Sequence, residues 1–215
     1  MATQKRIINP AVPGLPLGTE QYERRYQDQF TNVLRLYFNQ LRNSLTELLG
    51  NAGGKYLAFP YGAFSDFTDQ TTTANTATIM ALSVTDFSNE VTLVAGSKIT
   101  VANAGIYNLQ FSAQLENTDV LPQDIFIWLK QNGTDIPGST GKVGLPARKD
   151  PADPFHDIKG WNYFLSMNAG DYVQIYWSVT DVNVTIQTYP ASGTPTKPST
   201  ASVVATLSFV STPPT

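Results

Sequence analysis

From Tyr107 to Leu115 the odd positions are apolar (Tyr107, Leu109, Phe111, Ala113, Leu115) and the intervening Asn108, Gln110, Ser112 and Gln114 are polar. A period of two is the signature of a strand with one buried and one wet face. Downstream, Ile125 to Gln131 ends at Asn132-Gly133, a pair suited to the positive φ angles of a two-residue hairpin. The spacing therefore predicts that this strand folds straight back on the segment opening at Thr134. Strands at 55–61, 76–81, 90–94, 98–101, 105–116, 124–131, 134–137, 161–167, 171–180 and 201–210 complete the pattern. About eight to ten short strands at such spacing predict a mainly β, antiparallel sandwich. No internal repeat is evident along the chain.

The sequence ahead of these strands is of another kind. Residues 1–19 carry Pro10, Pro13, Pro16, Gly14 and Gly18, which forbid a helix and favour an extended arm. Residues 20–50 read as one long helix, with Thr19 as cap, Glu20 and Glu23 in the first turn and Gly50 as the stop. Tyr22, Tyr26, Phe30, Val33, Leu34, Tyr37, Leu41, Leu45 and Leu48 recur mostly three or four apart and line one stripe. A lone helix cannot bury such a stripe. It either docks on the β-domain or joins copies from other chains, with Tyr26, Phe30, Val33, Tyr37, Leu41, Leu45 and Leu48 at the interface. Leu36 and Phe38 lie off the stripe and suggest a further partner. Residues 51–54, Asn-Ala-Gly-Gly, read as a flexible joint, and 55–211 as the head domain.

Two predicted strands are bulky on both faces. Phe126 and Trp128 oppose Ile125, Ile127 and Leu129, and Tyr172 and Tyr176 oppose Val173, Ile175, Trp177 and Val179. Phe126, Trp128, Tyr172 and Tyr176 are the candidate subunit interface of the head, unless loops cover them.

Composition narrows the chemistry. The chain has no cysteine, which removes disulfides, thiol nucleophiles and zinc-thiolate sites. Residues 1–49 hold six Lys/Arg against four Asp/Glu, and residues 50–215 hold eight against thirteen, so a nucleic-acid groove in the β-domain is disfavoured. No stretch has the length or apolarity of a secretion signal or membrane span, and synthesis in a cytoplasm is expected.

The single histidine, His156, sits among Asp150, Asp153 and Asp157. Zinc lacks the ligands it needs there, and calcium through the three aspartates is a weak alternative to a solvated, proline-punctuated turn. No nucleophile elbow, carboxylate pair in a recognisable setting or phosphate loop is present, and no enzyme is expected. The connections at 141–160 and 189–200 are long, and loops of that length are usually functional or mobile. Lys149, Asp150, Asp153, Phe155, His156 and Asp157 form the candidate receptor loop.

Ile99-Thr-Val101, Gly105-Ile-Tyr107, Phe111-Ser-Ala113, Ile127-Trp-Leu-Lys-Gln-Asn-Gly133 and Gly170-Asp-Tyr-Val173 resemble, in this order, the globular heads of the complement and tumour-necrosis-factor superfamily. The resemblance spans about residues 55–210 and implies a trimeric jelly roll in which these motifs are structural. The N-terminal part departs from that family, having no collagen repeat. A Pro-rich arm, one helix and a small cysteine-free jelly roll resemble instead the plan of bacteriophage fibres, fibre tips and head decorations. That resemblance implies a homotrimer in the virion, anchored to capsid or tail proteins through residues 1–49, with the head outward and a host-surface glycan as one expected ligand. A soluble carbohydrate-binding or polysaccharide-degrading sandwich is the alternative.

Overall fold

A computed structural model of the chain describes residues 10–18, 20–49 and 59–212. These residues belong to two compact units, divided between residues 58 and 59. In the first, residues 10–18 have no regular secondary structure, in keeping with three prolines in that span. The predicted cap Thr19, the stop Gly50 and the joint at 51–54 lie outside the described residues.

Helix α1 runs Arg24–Leu49. It begins later than the predicted start at residue 20, because the Glu23 carbonyl accepts its first bond, from the Gln27 amide at 3.1 Å. Glu20, Tyr22 and Glu23 therefore precede the helix. Tyr26, Phe30, Val33, Leu34, Tyr37, Leu41 and Leu48 are half-buried, while Leu36, Phe38 and Leu45 are exposed.

The second unit is an antiparallel sandwich. Its first sheet contains β1 (Tyr61–Asp66), β3 (Val84–Asn89), β6 (Gly105–Asn117), β10 (Phe155–Met167), β12 (Val184–Ile186) and β15 (Val203–Ser211). They lie in the order β10-β6-β15-β1-β3, with β12 on the end of β6. The second sheet contains β2 (Thr78–Ile79), β4 (Val91–Val94), β5 (Lys98–Val101), β7 (Gln123–Gln131), β8 (Thr134–Asp135), β9 (Gly141–Leu145) and β11 (Tyr172–Val179), built on the path β4-β5-β11-β7. A small hairpin, β13 (Ser192–Gly193) with β14 (Thr196–Lys197), stands apart. From β1 to β2, β2 to β3, β3 to β4, β5 to β6, β6 to β7, β9 to β10, β10 to β11 and β11 to β12 the chain crosses from one sheet to the other. This interleaving makes the sandwich a jelly roll.

The core lies between the sheets. Tyr107, Leu109, Phe111, Ala113 and Leu115 of β6 meet Ile125, Ile127 and Leu129 of β7 and Val173, Ile175, Trp177 and Val179 of β11, all buried. Asn132 and Gly133 have φ of 51° and 81° and close the β7–β8 hairpin as their sequence predicts. The Asn132 amide also donates to Asp171 at 2.8 Å, joining the Asn-Gly and Gly-Asp turns. The backbone amide of Asn168, then the Asn132 and Gln131 amides, hold the Asp171 carboxyl below its usual range.

Several boundaries differ from the sequence expectation. Residues 141–160 are not one loop: β9 pairs with β7, and β10 starts at Phe155 rather than 161 because it pairs with β6 along its whole length. Only 146–154 remains irregular, bounded by Pro146 and Pro154. The predicted strand at 55–61 meets β1 only at Tyr61: Phe59 and Pro60 are irregular, 55–58 lies outside the described residues, and β1 runs on to Asp66. Strands β3, β9, β12, β13 and β14 were not expected.

Candidate functional site

Strand direction sorts the head into two ends. Phe155 of β10 and Val184 of β12 lie beside Asn117, the last residue of β6, and Val203 of β15 lies beside Asp66 at the end of β1. Met167, Ser211 and Gly105 meet at the other end, where the Phe209 amide donates to the Pro60 carbonyl at 2.9 Å. The chain thus enters the head at one end. The connections 118–122, 146–154, 180–183 and 187–202 gather at the opposite one, joined there by 67–77, whose Asp69 carboxylate accepts from the Thr188 amide at 2.8 Å.

Asn117 fastens that far end. It is fully buried, and its Nδ2 donates to the carbonyls of Leu121 (3.1 Å), Pro146 (2.9 Å) and Leu145 (3.4 Å). Its Oδ1 accepts from the Asp119 amide at 2.9 Å. The Thr118 amide donates to the Asn183 carbonyl at 3.1 Å, and the Arg148 amide to the Asp119 carbonyl at 2.9 Å. Three connections are thereby tied into one surface, and Val120, Leu121 and Val182 project from it at 64%, 60% and 55% exposure.

The fourth connection is held by the histidine. His156 on β10 lies directly across from Glu116 on β6. The Tyr189 hydroxyl is 2.9 Å from His156 Nδ1 and 3.2 Å from Glu116 Oε2, and the imidazole and phenol rings meet edge to face. Burial, then the charge and hydrogen bond of Glu116 and the charge of Asp69, push the Tyr189 phenol well above its ordinary range. A phenol held protonated is a poor nucleophile. The cluster fastens the 189–200 segment to the first sheet.

The candidate receptor-loop residues divide. Lys149 and Asp150 are exposed on the loop, and Lys149 pairs with Asp153 at 3.2 Å. Phe155 instead packs against the core, since β10 has already begun there. Asp157 lies on the opposite face of β10 from His156 and pairs with Lys159 at 2.8 Å. Asp150 accepts from the Ala152 amide at 2.8 Å. Each aspartate thus has its own donor, and the calcium grouping read from the sequence is not drawn together. Among the described residues, no three His, Asp or Glu side chains are placed to share a metal ion.

The four aromatic candidates for the head interface share the outer face of the second sheet and are half-buried. Trp128 and Tyr176 are cross-strand partners with ring centroids 5.8 Å apart. Lys98, Lys130 and Lys142 lie over the rings of Tyr172, Tyr176 and Phe126, at 4.5, 4.6 and 5.6 Å. Lys130 and Lys142 also pair with Asp135 and Asp124. Lysine stems and ammonium groups cover this face, a remedy for two-sided apolar strands that the sequence reading did not consider. The outer face of the first sheet is barer. Ile158 and Phe164 of β10 are 58% and 57% exposed there, and Val204 and Val210 of β15 are exposed too. Both β10 residues were missed as a pair. The inward Asp157 and Lys159 break the alternation that would have revealed the strand.

No family model matches this chain, and no curated protein matches it. Among solved structures, the globular domain of zebrafish complement 1qA protein is similar to it over 73% of this chain and 100% of that chain, at 11% identity and a TM-score of 0.42.

Proposed function

We propose that this chain is a non-enzymatic bacteriophage virion protein, a trimeric fibre or head decoration. In this reading residues 1–49 anchor it to the capsid or tail, and the jelly-roll head faces outward. The observation that carries the reading is the polarity of the head: the chain arrives at one end, and five cross-tied connections occupy the other. That is the layout of a displayed domain, since residues recruited for binding sit on loops held by a rigid scaffold. The cysteine-free composition and the Pro-punctuated arm ahead of the helix support the same plan. The exposed ligand surface is then the 118–122, 146–154 and 180–183 group, with a host-surface glycan as its ligand.

The test is adsorption. Phage carrying a Gly-Ser replacement of residues 147–153 should incorporate the protein normally and adsorb to host cells more slowly. Absence of the protein from purified virions would remove the reading altogether. Turnover of a bacterial polysaccharide by the isolated protein would replace it with the carbohydrate-active alternative.

A further inference from the structure

Although no internal repeat is evident along the chain as a whole, helix α1 contains one of eleven residues, short and degenerate enough to escape a comparison of whole segments. Arg24, Tyr26, Gln29, Asn32 and Leu34 recur as Arg35, Tyr37, Gln40, Asn43 and Leu45, each eleven positions on, and Phe30 and Asp28 are answered by Leu41 and Asn39. The burial follows the same period. Tyr26, Phe30, Val33, Tyr37, Leu41, Ser44 and Leu48 are half-buried, at steps of four, three, four, then four, three, four, with Leu34 half-buried beside them and its counterpart Leu45 exposed. A heptad continued from Tyr26 would pass through Gln40 and Glu47 instead, and Gln40 is exposed.

We infer that α1 assembles with copies of itself in parallel and in register through a hendecad seam, giving a near-straight bundle with a slight right-handed twist rather than a left-handed heptad coiled coil. This rests on the trimeric reading above and specifies how its stalk is built. An eleven-residue period corresponds to 3.67 residues per turn, slightly more than the 3.6 of a free helix, so a seam of this period stays almost parallel to the helix axis and drifts right-handed. Only a partner with the same period follows it for the full helix, and a second copy has that period by identity.

Charge points the same way. Arg24, Arg25, Asp28, Arg35 and Arg42 are all exposed and off the seam, whose immediate flanks are Gln29 and Gln40 on one side and Leu34 and Leu45 on the other. An uncharged seam with uncharged flanks complements itself and offers nothing to a charged partner. A helix in a protein takes most of its stability from packing its apolar face rather than from propensity, so the seam needs that cover. In this register Ser44 takes the seam position and Leu45 flanks it.

The absence of native cysteine allows a clean test on the full chain. Single cysteines at positions 26 to 48 are introduced one at a time, treated with a short bis-maleimide, and each variant's solution mass is measured by light scattering. Tyr37→Cys, Leu41→Cys, Ser44→Cys and Leu48→Cys should cross-link several-fold more than Gln40→Cys and the rear-face control Asn39→Cys. Maxima at 40 and 47 with a minimum at 41 would overturn the hendecad and leave the trimer standing. Cross-linking at the Asn39→Cys level throughout an oligomeric chain would take the helix out of the interface, again sparing the trimer. A monomeric mass for the unmodified chain would sink both.

Discussion

Asn117 shows how much of the far end depends on one amide. A single buried nitrogen serves three carbonyls on two connections, and no apolar side chain can replace it. Asn117→Ala should cost about 1–3 kcal/mol, the penalty of leaving buried polar groups unpaired. Urea denaturation reads that loss, and amide exchange should quicken at 118–121 and 147–148 while β6 stays protected. Tyr189 gives a pH-dependent counterpart. Its phenol, like the buried Tyr107 phenol, is held above the ordinary range of a tyrosine in the folded protein, in each case chiefly by burial. The protonated form is therefore favoured on folding, and the stability this brings is complete below pH 10 and lost as pH rises through the folded value. Denaturation midpoints of the wild type should fall above pH 10, and Tyr189→Phe should flatten that fall. An identical alkaline slope in the variant would assign the effect to other groups.

At the scale of elements, β10 was the hardest strand to read, and it carries the sharpest steric constraint. Gly160 pairs with Ser112, and a Cβ there would lie 2.0 Å from the Phe111 carbonyl oxygen. The obstacle is backbone of the neighbouring strand, which cannot rotate aside as a side chain would. Gly160→Ala should therefore cost about 3 kcal/mol, the upper part of the usual overpacking range, with a matching drop in the urea midpoint; an unchanged midpoint would show that β10 can shift. In the sequence the same glycine reads as loop, together with Pro151, Pro154 and the acids around His156. Strands with an unbroken inward apolar run, such as β6 from Tyr107 to Leu115, were legible because one physical force wrote their pattern. Strand β10 was not, because its first half places the Asp157–Lys159 pair on the inward face at the sheet edge, where water still reaches it. The site fared similarly: the two long connections were visible as composition, but the Glu116–His156–Tyr189 meeting joins residues 33 to 73 positions apart and has no local signature.

For the whole molecule, the question is which face of the head the trimer would use. The four rings Phe126, Trp128, Tyr172 and Tyr176 were chosen because both faces of β7 and β11 need cover, yet lysines already lie over three of them. Displacing those ammonium groups from their rings and carboxylates costs interactions the isolated head already has. Among the described residues no lysine lies over Ile158 or Phe164, and on the same sheet face Gln110 and Ser112 supply the polar groups that a mixed interface uses. Burying bare apolar surface gains about 25 cal/mol per Å² with nothing to displace, so the first sheet is the more favourable face. Phe164→Asp should then lower the solution mass of the head from oligomer to monomer with little change in its urea midpoint, because the side chain is on the wet face of a folded strand. Tyr176→Ala should leave the mass unchanged. The reverse outcome, assembly lost with Tyr176→Ala and kept with Phe164→Asp, would return the interface to the aromatic face of the second sheet and show that its lysines yield to a partner.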